Sequence, residues 1–320
     1  MNNPEREAGG LYTSDSENSY KSINDIHKQE GARVTKHFQA PENKSMQQWF
    51  DEIESRSTFR SEVEDSEEYC KIEIETDRPA VIGLSGDWHL DGNIDRDMLR
   101  MDLEIMAKHP LVVGNFLLGD LLDAANFNPA QDESLLNFEE QRQALVSILD
   151  YVGKDRILGM WKGNHDHKWE RKHGTSKYSG FSQRYEAPVF YGNSYIDLNI
   201  NEVNYKLMGS HRLRGNSMYT NAHPSSRGHR EVQGLDVVFC GHTHKRGATE
   251  QAMREFRGAR MTHAIVSGTY QHGSEYTKDS GYGTQSGAEL GMYWLILNHD
   301  KKLVRVCGTL EMLETVQGYI

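Results

Sequence analysis

The sequence predicts an α/β protein in which two mixed β-sheets form a sandwich flanked by helices, and three observations predict it. Strand–helix–strand units dominate the chain up to Gly192, and hairpin patterns dominate after it. Strand–helix alternation followed by runs of strands is what helices covering a sheet that continues into antiparallel pairs leave in a sequence. Third, five short apolar runs each end in a turn rich in Gly, Asp, Asn and His. In open α/β sheets the ligand crevice lies beyond the carboxyl ends of the strands, so chemistry is expected at those turns.

Residues 1 to about 60 are rich in Ser, Asn, Glu and Lys and carry no sustained period, which reads as a partly disordered or loosely helical extension. Inside it, Ser45 to Ile53 offers a Ser N-cap and an apolar face of Met46, Trp49, Phe50 and Ile53, read as a short docked helix near 45–54 in preference to a partner-binding one. The acidic extension is assigned to 1–70 and the main domain to 71–320. That domain opens with Lys71-Ile72-Glu73-Ile74-Glu75, which alternates as an edge strand does.

Val81 to Leu84, after Pro79, is a strand buried on both faces. Ile94 to Lys108 is a helix with Met98, Met101, Ile105 and Met106 on one side, ended by Pro110. A strand to Leu118 completes a βαβ unit. Asp132 to Tyr151 is a helix with Asp132 as cap and a stripe of Leu135, Leu136, Phe138, Leu145, Ile148 and Leu149. Ile157 to Trp161 is the next strand. Tyr195 to Ile200 and Val203 to Met208 pair around Asn201-Glu202. Val237 to Cys240, Ala264 to Ser267, and Met292 to Leu297 with Leu303 to Val306 supply further strands.

Composition narrows the setting. With 320 residues, 37% hydrophobic and 26% charged, the chain can bury a substantial core. No apolar run approaches the ~20 residues that span a bilayer, and the first residues lack the pattern of a signal peptide, so a cytoplasmic protein without a membrane partner is expected. Three scattered cysteines exclude a disulfide framework or a thiolate zinc cluster. The formal charge of -11 is concentrated in residues 1–77, which hold 18 acidic and 9 basic side chains. By contrast Val203 to Arg230 contains Lys206, Arg212, Arg214, Arg227 and Arg230 and no carboxylate.

The strand-end turns are Gly86-Asp87-Trp88-His89, Gly119-Asp120-Leu121-Leu122-Asp123, Gly163-Asn164-His165-Asp166-His167, Gly209-Ser210-His211 and Gly241-His242-Thr243-His244. Carboxylate, imidazole and amide donors without thiolate suit hard or borderline divalent ions and do not build a structural zinc site. Asp87 with His89, and His242 with His244, are spaced so that an extended backbone would send both side chains the same way.

In that order, Asp-x-His, Gly-Asp-x-x-Asp, Gly-Asn-His-Asp, a lone His and Gly-His-x-His resemble the signature of the calcineurin-like metallophosphoesterases, spanning Asp87 to His244. The resemblance implies a four-layer α-β-β-α sandwich and two divalent ions, Mn first and Fe or Zn as alternatives. It further implies that Asp87, His89 and His244 hold one ion, that Asn164, His211 and His242 hold the other, and that Asp120 bridges them. His165 would be the general acid and Asp123 the carboxylate that orients it, with a metal-activated water as nucleophile. Asp166 is read as structural, bonding its own turn.

Two departures restrict the family branch. Ala124-Ala125 stands where the serine/threonine protein phosphatases have Arg-Gly, and Asp123 occupies a place where the repair nucleases usually lack a carboxylate. The expected activity is hydrolysis of a phosphodiester, with DNA, RNA or a nucleotide as substrate. His167, Lys168, Arg212 and Arg214 are the candidate substrate contacts, joined by Lys162, Arg171, Lys172 and Lys177 as basic neighbours. The alternatives are a phosphomonoesterase and a metal-binding scaffold that docks partners through the extension. Oligomeric state is left open.

Overall fold

The computed structural model describes residues 32–37, 45–51, 68–122, 135–174, 176–215, 217, 219–255, 258–272 and 290–319. Its strands are β1 (Ala32–His37), β2 (Glu68–Thr76), β3 (Ala80–Ser85), β4 (Val112–Leu117), β5 (Ile157–Trp161), β6 (Val189–Phe190), β7 (Ser194–Ile200), β8 (Val203–Ser210), β9 (Val237–Cys240), β10 (Gly247–Glu255), β11 (Gly258–Val266), β12 (Tyr293–Leu297) and β13 (Val304–Cys307). The helices are α1 (Arg96–Lys108), α2 (Phe138–Val152), α3 (Asn164–His173), α4 (Phe181–Tyr185), α5 (His223–Glu231) and α6 (Thr309–Val316). One sheet has seven strands in the order β1-β2-β7-β8-β9-β11-β10, and the other has six in the order β13-β12-β3-β4-β5-β6. Both mix parallel and antiparallel pairs.

The two-residue period of a strand sorts side chains into layers. In the six-stranded sheet Val81, Val112, Ile157 and Met160 face a core shared with α1, α2, α4 and α6. Their neighbours Ile82, Val113, Leu158 and Trp161 face the opposite way, into a core shared with the seven-stranded sheet. Beyond that sheet, Met208, Leu235 and Val238 form a small third cluster. There α5 lies so close that a Cβ on Gly228 would come within 2.9 Å of Met208 and Val238. The result is the four-layer α-β-β-α sandwich, whose central core is buried between sheets. Truncating one of its fully buried side chains, such as Leu158→Ala, costs about 2–5 kcal/mol by lost transfer energy and cavity formation.

Several elements depart from the sequence reading in detail. In α1 the buried apolar face is Leu99, Leu103 and Met106, rotated from the expected stripe, and Met101 is exposed. The start of α2 is Phe138, because Asn137 and Glu140 close a reciprocal capping box at 3.0 and 2.8 Å. Leu135 and Leu136 precede that helix and are exposed; Asp132 lies outside the described residues.

The expected edge strand β2 is covered: β1, from within the N-terminal extension, pairs antiparallel with it from Ala32 opposite Thr76 to His37 opposite Lys71. Residues 46–51 are helical as the capping signal implies, yet Met46, Trp49 and Phe50 are exposed in place of the docked face expected; Ile53 is outside the described residues. Unexpected β10 forms the other edge of the seven-stranded sheet. None of its residues from Gly247 to Arg254 is fully buried, so that stretch leaves no apolar alternation to read. All three cysteines are free and buried. Among the described residues no helix is long and apolar enough to cross a membrane.

Candidate metal centre

The loops after β3, β4 and β5 of one sheet and after β8 and β9 of the other meet at one end of the sandwich. Backbone bonds zip them together: Asp87 N–H donates to Gly119 O at 2.9 Å, His89 N–H to Asp120 O at 3.1 Å, and Gly241 N–H to His211 O at 3.1 Å. The packing is close enough to require glycine. A Cβ on Gly241 would sit 2.5 Å from Asp87 Oδ2, and one on Gly163 would overlap the Asp120 carboxylate.

Six of the seven expected ligands fall into two groups, Asp87 with His89 and His244, and Asp120 with His211 and His242, the donor atoms of each lying within 4.8 Å of one another. In the first, His89 Nε2 is 3.1 Å from His244 Nε2, and the buried Asp87 Oδ1 is 3.4 Å from His244 Nε2 and 4.0 Å from His89 Nε2. In the second, Asp120 Oδ2 is 3.2 Å from His211 Nε2. Asn164, the seventh, joins this group: its Oδ1 is 3.0 Å from His211 Nε2. That same amide position is 3.2 Å from Asp120 Oδ2 and 2.6 Å from His242 Nδ1.

The backbone brings these side chains together in a way the sequence reading did not anticipate. Among the described residues eight non-glycine residues have positive φ, and five of them are Asp87, His89, Asp120, His242 and His244. Convergence of the Asp-x-His and His-x-His pairs therefore comes from left-handed residues in sharp loops, where an extended backbone was expected. Such conformations cost roughly 1–3 kcal/mol each and persist where surrounding contacts over-determine them.

Those contacts are visible. His242 N–H donates to Asp87 Oδ2 at 2.7 Å, His165 N–H donates to Asp120 Oδ1 at 3.0 Å, and Thr269 Oγ1 donates to Asp87 O at 2.7 Å. His211 Nδ1 lies 2.6 Å from Leu118 O, which holds Nε2 toward Asp120 and Asn164. The largest tie is Asp166, which is fully buried. Its Oδ2 accepts from Gly163 N–H at 2.7 Å, from Asp120 N–H at 3.2 Å and from Tyr178 Oη at 3.0 Å, while Oδ1 lies 3.2 Å from the buried Lys177 Nζ. Asp166 thus bonds its own turn, as expected, and also fixes the Asp120 loop.

The electrostatics follow from this packing. Burial pushes the Asp87 and Asp120 carboxyls up, but His244 and His211 around the first and His211, His165 and His89 around the second outweigh it and hold both below the usual carboxylate range. Burial pushes His211 down, and the neighbouring Asp120 reverses this, raising it to about 10. Burial lowers His165 and His242 to about 4 each.

The donor set fits divalent cations. If the Asn164 oxygen faces its group, an amide oxygen, a carboxylate oxygen and two imidazole nitrogens converge, an arrangement that a cation would satisfy. Thiolate competition is absent, since burial drives the Cys240 thiol up to about 12.

His165 is edge-on to His89 with ring centroids 5.4 Å apart, beside the first group. Asp123 lies outside the described residues. Lys168 is exposed and its charge reaches His165; Arg212 is exposed and its charge reaches His242. Arg214 and Arg171 are exposed, and His167 is half-buried. Three of the basic residues expected near substrate are committed elsewhere. Lys177 is paired with Asp166, Lys162 is buried at 2.5 Å from Glu170, and Arg227 pairs with Glu231 at 2.8 Å. A lysine reads as a solvated charge unless its buried partner is known, so no local signal separates these residues from the exposed ones.

Two mixed sheets between helices, with carboxylate, imidazole and amide side chains gathered at one end, match the four-layer sandwich that the motifs implied. No protein-family model matches the chain and no curated protein matches it. Similar solved structures include a metallophosphoesterase from Sphaerobacter thermophilus, 11% identical with TM-score 0.35, over 75% of this chain and 94% of that one. Wild-type Vps29 complexed with zinc from Entamoeba histolytica is 12% identical with TM-score 0.33, over 72% and 98%. The Pseudomonas putida nuclease MPE is 14% identical with TM-score 0.28, over 71% and 87%.

Proposed function

We propose that the protein is a dinuclear metal-dependent phosphoesterase that hydrolyses phosphodiester bonds, with a nucleic acid or nucleotide as substrate. The observation that carries this reading is the pair of ligand groups, Asp87, His89 and His244 beside Asp120, His211 and His242, joined by Asn164. Two divalent cations, Mn in the first instance, supply Lewis acidity to the phosphoryl oxygens and to water when bound. Asp120, whose charge is felt at His89 of the other group, is the residue to hold both.

The protein's own groups supply the rest. His165 stands beside the first group as the candidate donor of a proton to the leaving oxygen. Burial keeps it neutral, and the negative charge of a bound phosphate raises its proton affinity. Lys168 and Arg212, with their charges at His165 and His242, flank the centre on two loops and favour a substrate with phosphate charge on either side.

The test is hydrolysis of bis-p-nitrophenyl phosphate against p-nitrophenyl phosphate with added Mn, followed by cleavage of single-stranded DNA and RNA over a salt series. Diester hydrolysis that disappears in Asp120→Asn, with metal content lowered and the fold retained, is the expected result. A wild-type protein active on the monoester alone would leave a phosphomonoesterase. Activity on neither ester with Mn present would refute the enzymatic reading.

A further inference from the structure

Tyr191 follows β6, which runs parallel to β5 with Phe190 opposite Trp161. This register sets Tyr191 alongside Lys162, two residues before Asn164. Lys162 N–H donates to Phe190 O at 2.9 Å, and Tyr191 N–H donates to Glu68 Oε2 at 2.7 Å, so the backbone beneath the ring is fixed. The Lys162 ammonium lies 3.8 Å from the ring centroid. His167, in the first turn of the helix that begins at Asn164, stands 6.2 Å away by ring centroids at an angle of 43°.

With the backbone fixed, a cation against the ring and an imidazole beside it, the side chain is nevertheless 56% exposed. An exposed aromatic with this support, at the ligand end of the sheet, suits a flat π-partner arriving from solvent. A buried ammonium against the ring draws electron density from it, which favours an electron-rich purine or pyrimidine on the free surface. We infer that Tyr191, backed by Lys162 and flanked by His167, is the stacking platform for a nucleobase next to the scissile phosphate. This rests on the phosphodiesterase reading above and assigns its substrate class: a base-bearing diester, held by π-stacking beside the metal centre and by phosphate charge within it.

The experiment uses the full-length, Mn-loaded protein and two single-stranded substrates of equal length, one a normal oligonucleotide and one built on abasic tetrahydrofuran units. The readout is the ratio of kcat/KM for the base-bearing strand to that for the abasic strand. Tyr191→Leu is expected to lower this ratio roughly tenfold or more, the scale of one base–aromatic stack, whereas Tyr191→Phe keeps it within about twofold. In parallel, 2-aminopurine next to the scissile position should be quenched on binding the wild-type protein and not on binding Tyr191→Leu. An unchanged ratio in Tyr191→Leu overturns the platform, because equal losses mean that the ring merely seats Lys162 and the Asn164 turn. A wild-type protein that cleaves neither strand would instead refute the nucleic-acid diester reading on which the platform depends.

Discussion

Replacing Asp166 by Asn removes one charge and leaves the shape of the turn. Asp166 and Lys177 are both fully buried and 3.2 Å apart, so the variant leaves an ammonium in the interior facing an amide. Burial raises the Asp166 carboxyl above its ordinary value and the Asp120 charge adds to the rise, while Lys177 and the hydrogen bonds from Gly163 and Tyr178 oppose it. Breaking one side of a buried pair costs about 3–5 kcal/mol, which against the roughly 5–15 kcal/mol of a typical domain is a large fraction. The same carboxylate aligns Gly163 and Asp120, so metal affinity should fall about 10–100-fold, as it does when support behind a ligand is lost. Urea unfolding and Mn titration calorimetry read the two effects separately. The double variant Asp166→Asn with Lys177→Met removes the stranded charge, and should recover most of the stability but not the metal affinity. Stability within about 1 kcal/mol of wild type in Asp166→Asn, together with unchanged Mn affinity, would refute the hub role.

Two further outcomes follow from other parts of the structure. His165→Ala should keep both metals and lose roughly 10²–10⁴-fold in rate on alkyl diesters but much less on p-nitrophenyl esters, whose leaving group needs no proton; equal losses on both would exclude the acid role. His229 is buried, with Nε2 2.9 Å from His263 O; burial lowers its pKa, the hydrogen bond to His263 O and the Asp236 charge oppose the fall, and the charges of Arg260 and His263 add to it. The unfolded chain then takes up the proton first as pH drops below about 6.5, so stability falls there by at most about 1.4 kcal/mol per pH unit for this residue. In His229→Gln the slope of unfolding free energy between pH 6.5 and about 5 should be shallower by up to one proton. An unchanged slope in urea titrations would show that His229 is protonated in the folded protein.

The ligand loops were legible because they are local. Glycine-bounded turns after apolar runs mark strand ends, and the structure gathers Asp87, His89 and His244 in one group and Asp120, His211 and His242 in another with Asn164 beside it, Asp120 falling within the second group where the resemblance implied a bridge. Both faces of β3 and β5 were likewise readable, since a continuous apolar run needs no partner to be recognised. Helix boundaries were less so: the start of α2 depended on the capping box of Asn137 and Glu140, and the apolar Leu135 and Leu136 before it mimicked another turn.

By itself, then, the sequence determined the order of strands and helices and the chemistry offered at the strand ends, because periodicity and turn residues act over a few positions. Only the tertiary structure decided which charges reach solvent and which are spent inside. Lys168 is exposed beside His165, while Lys177, nine residues on, is buried against Asp166, and no local pattern distinguishes them. It also decided that β1, from within the acidic extension, pairs with β2, and that five candidate ligands converge through left-handed backbone. The physical reason is common to all three: the favourable interaction comes from a group distant in sequence, so the residue alone carries no trace of it.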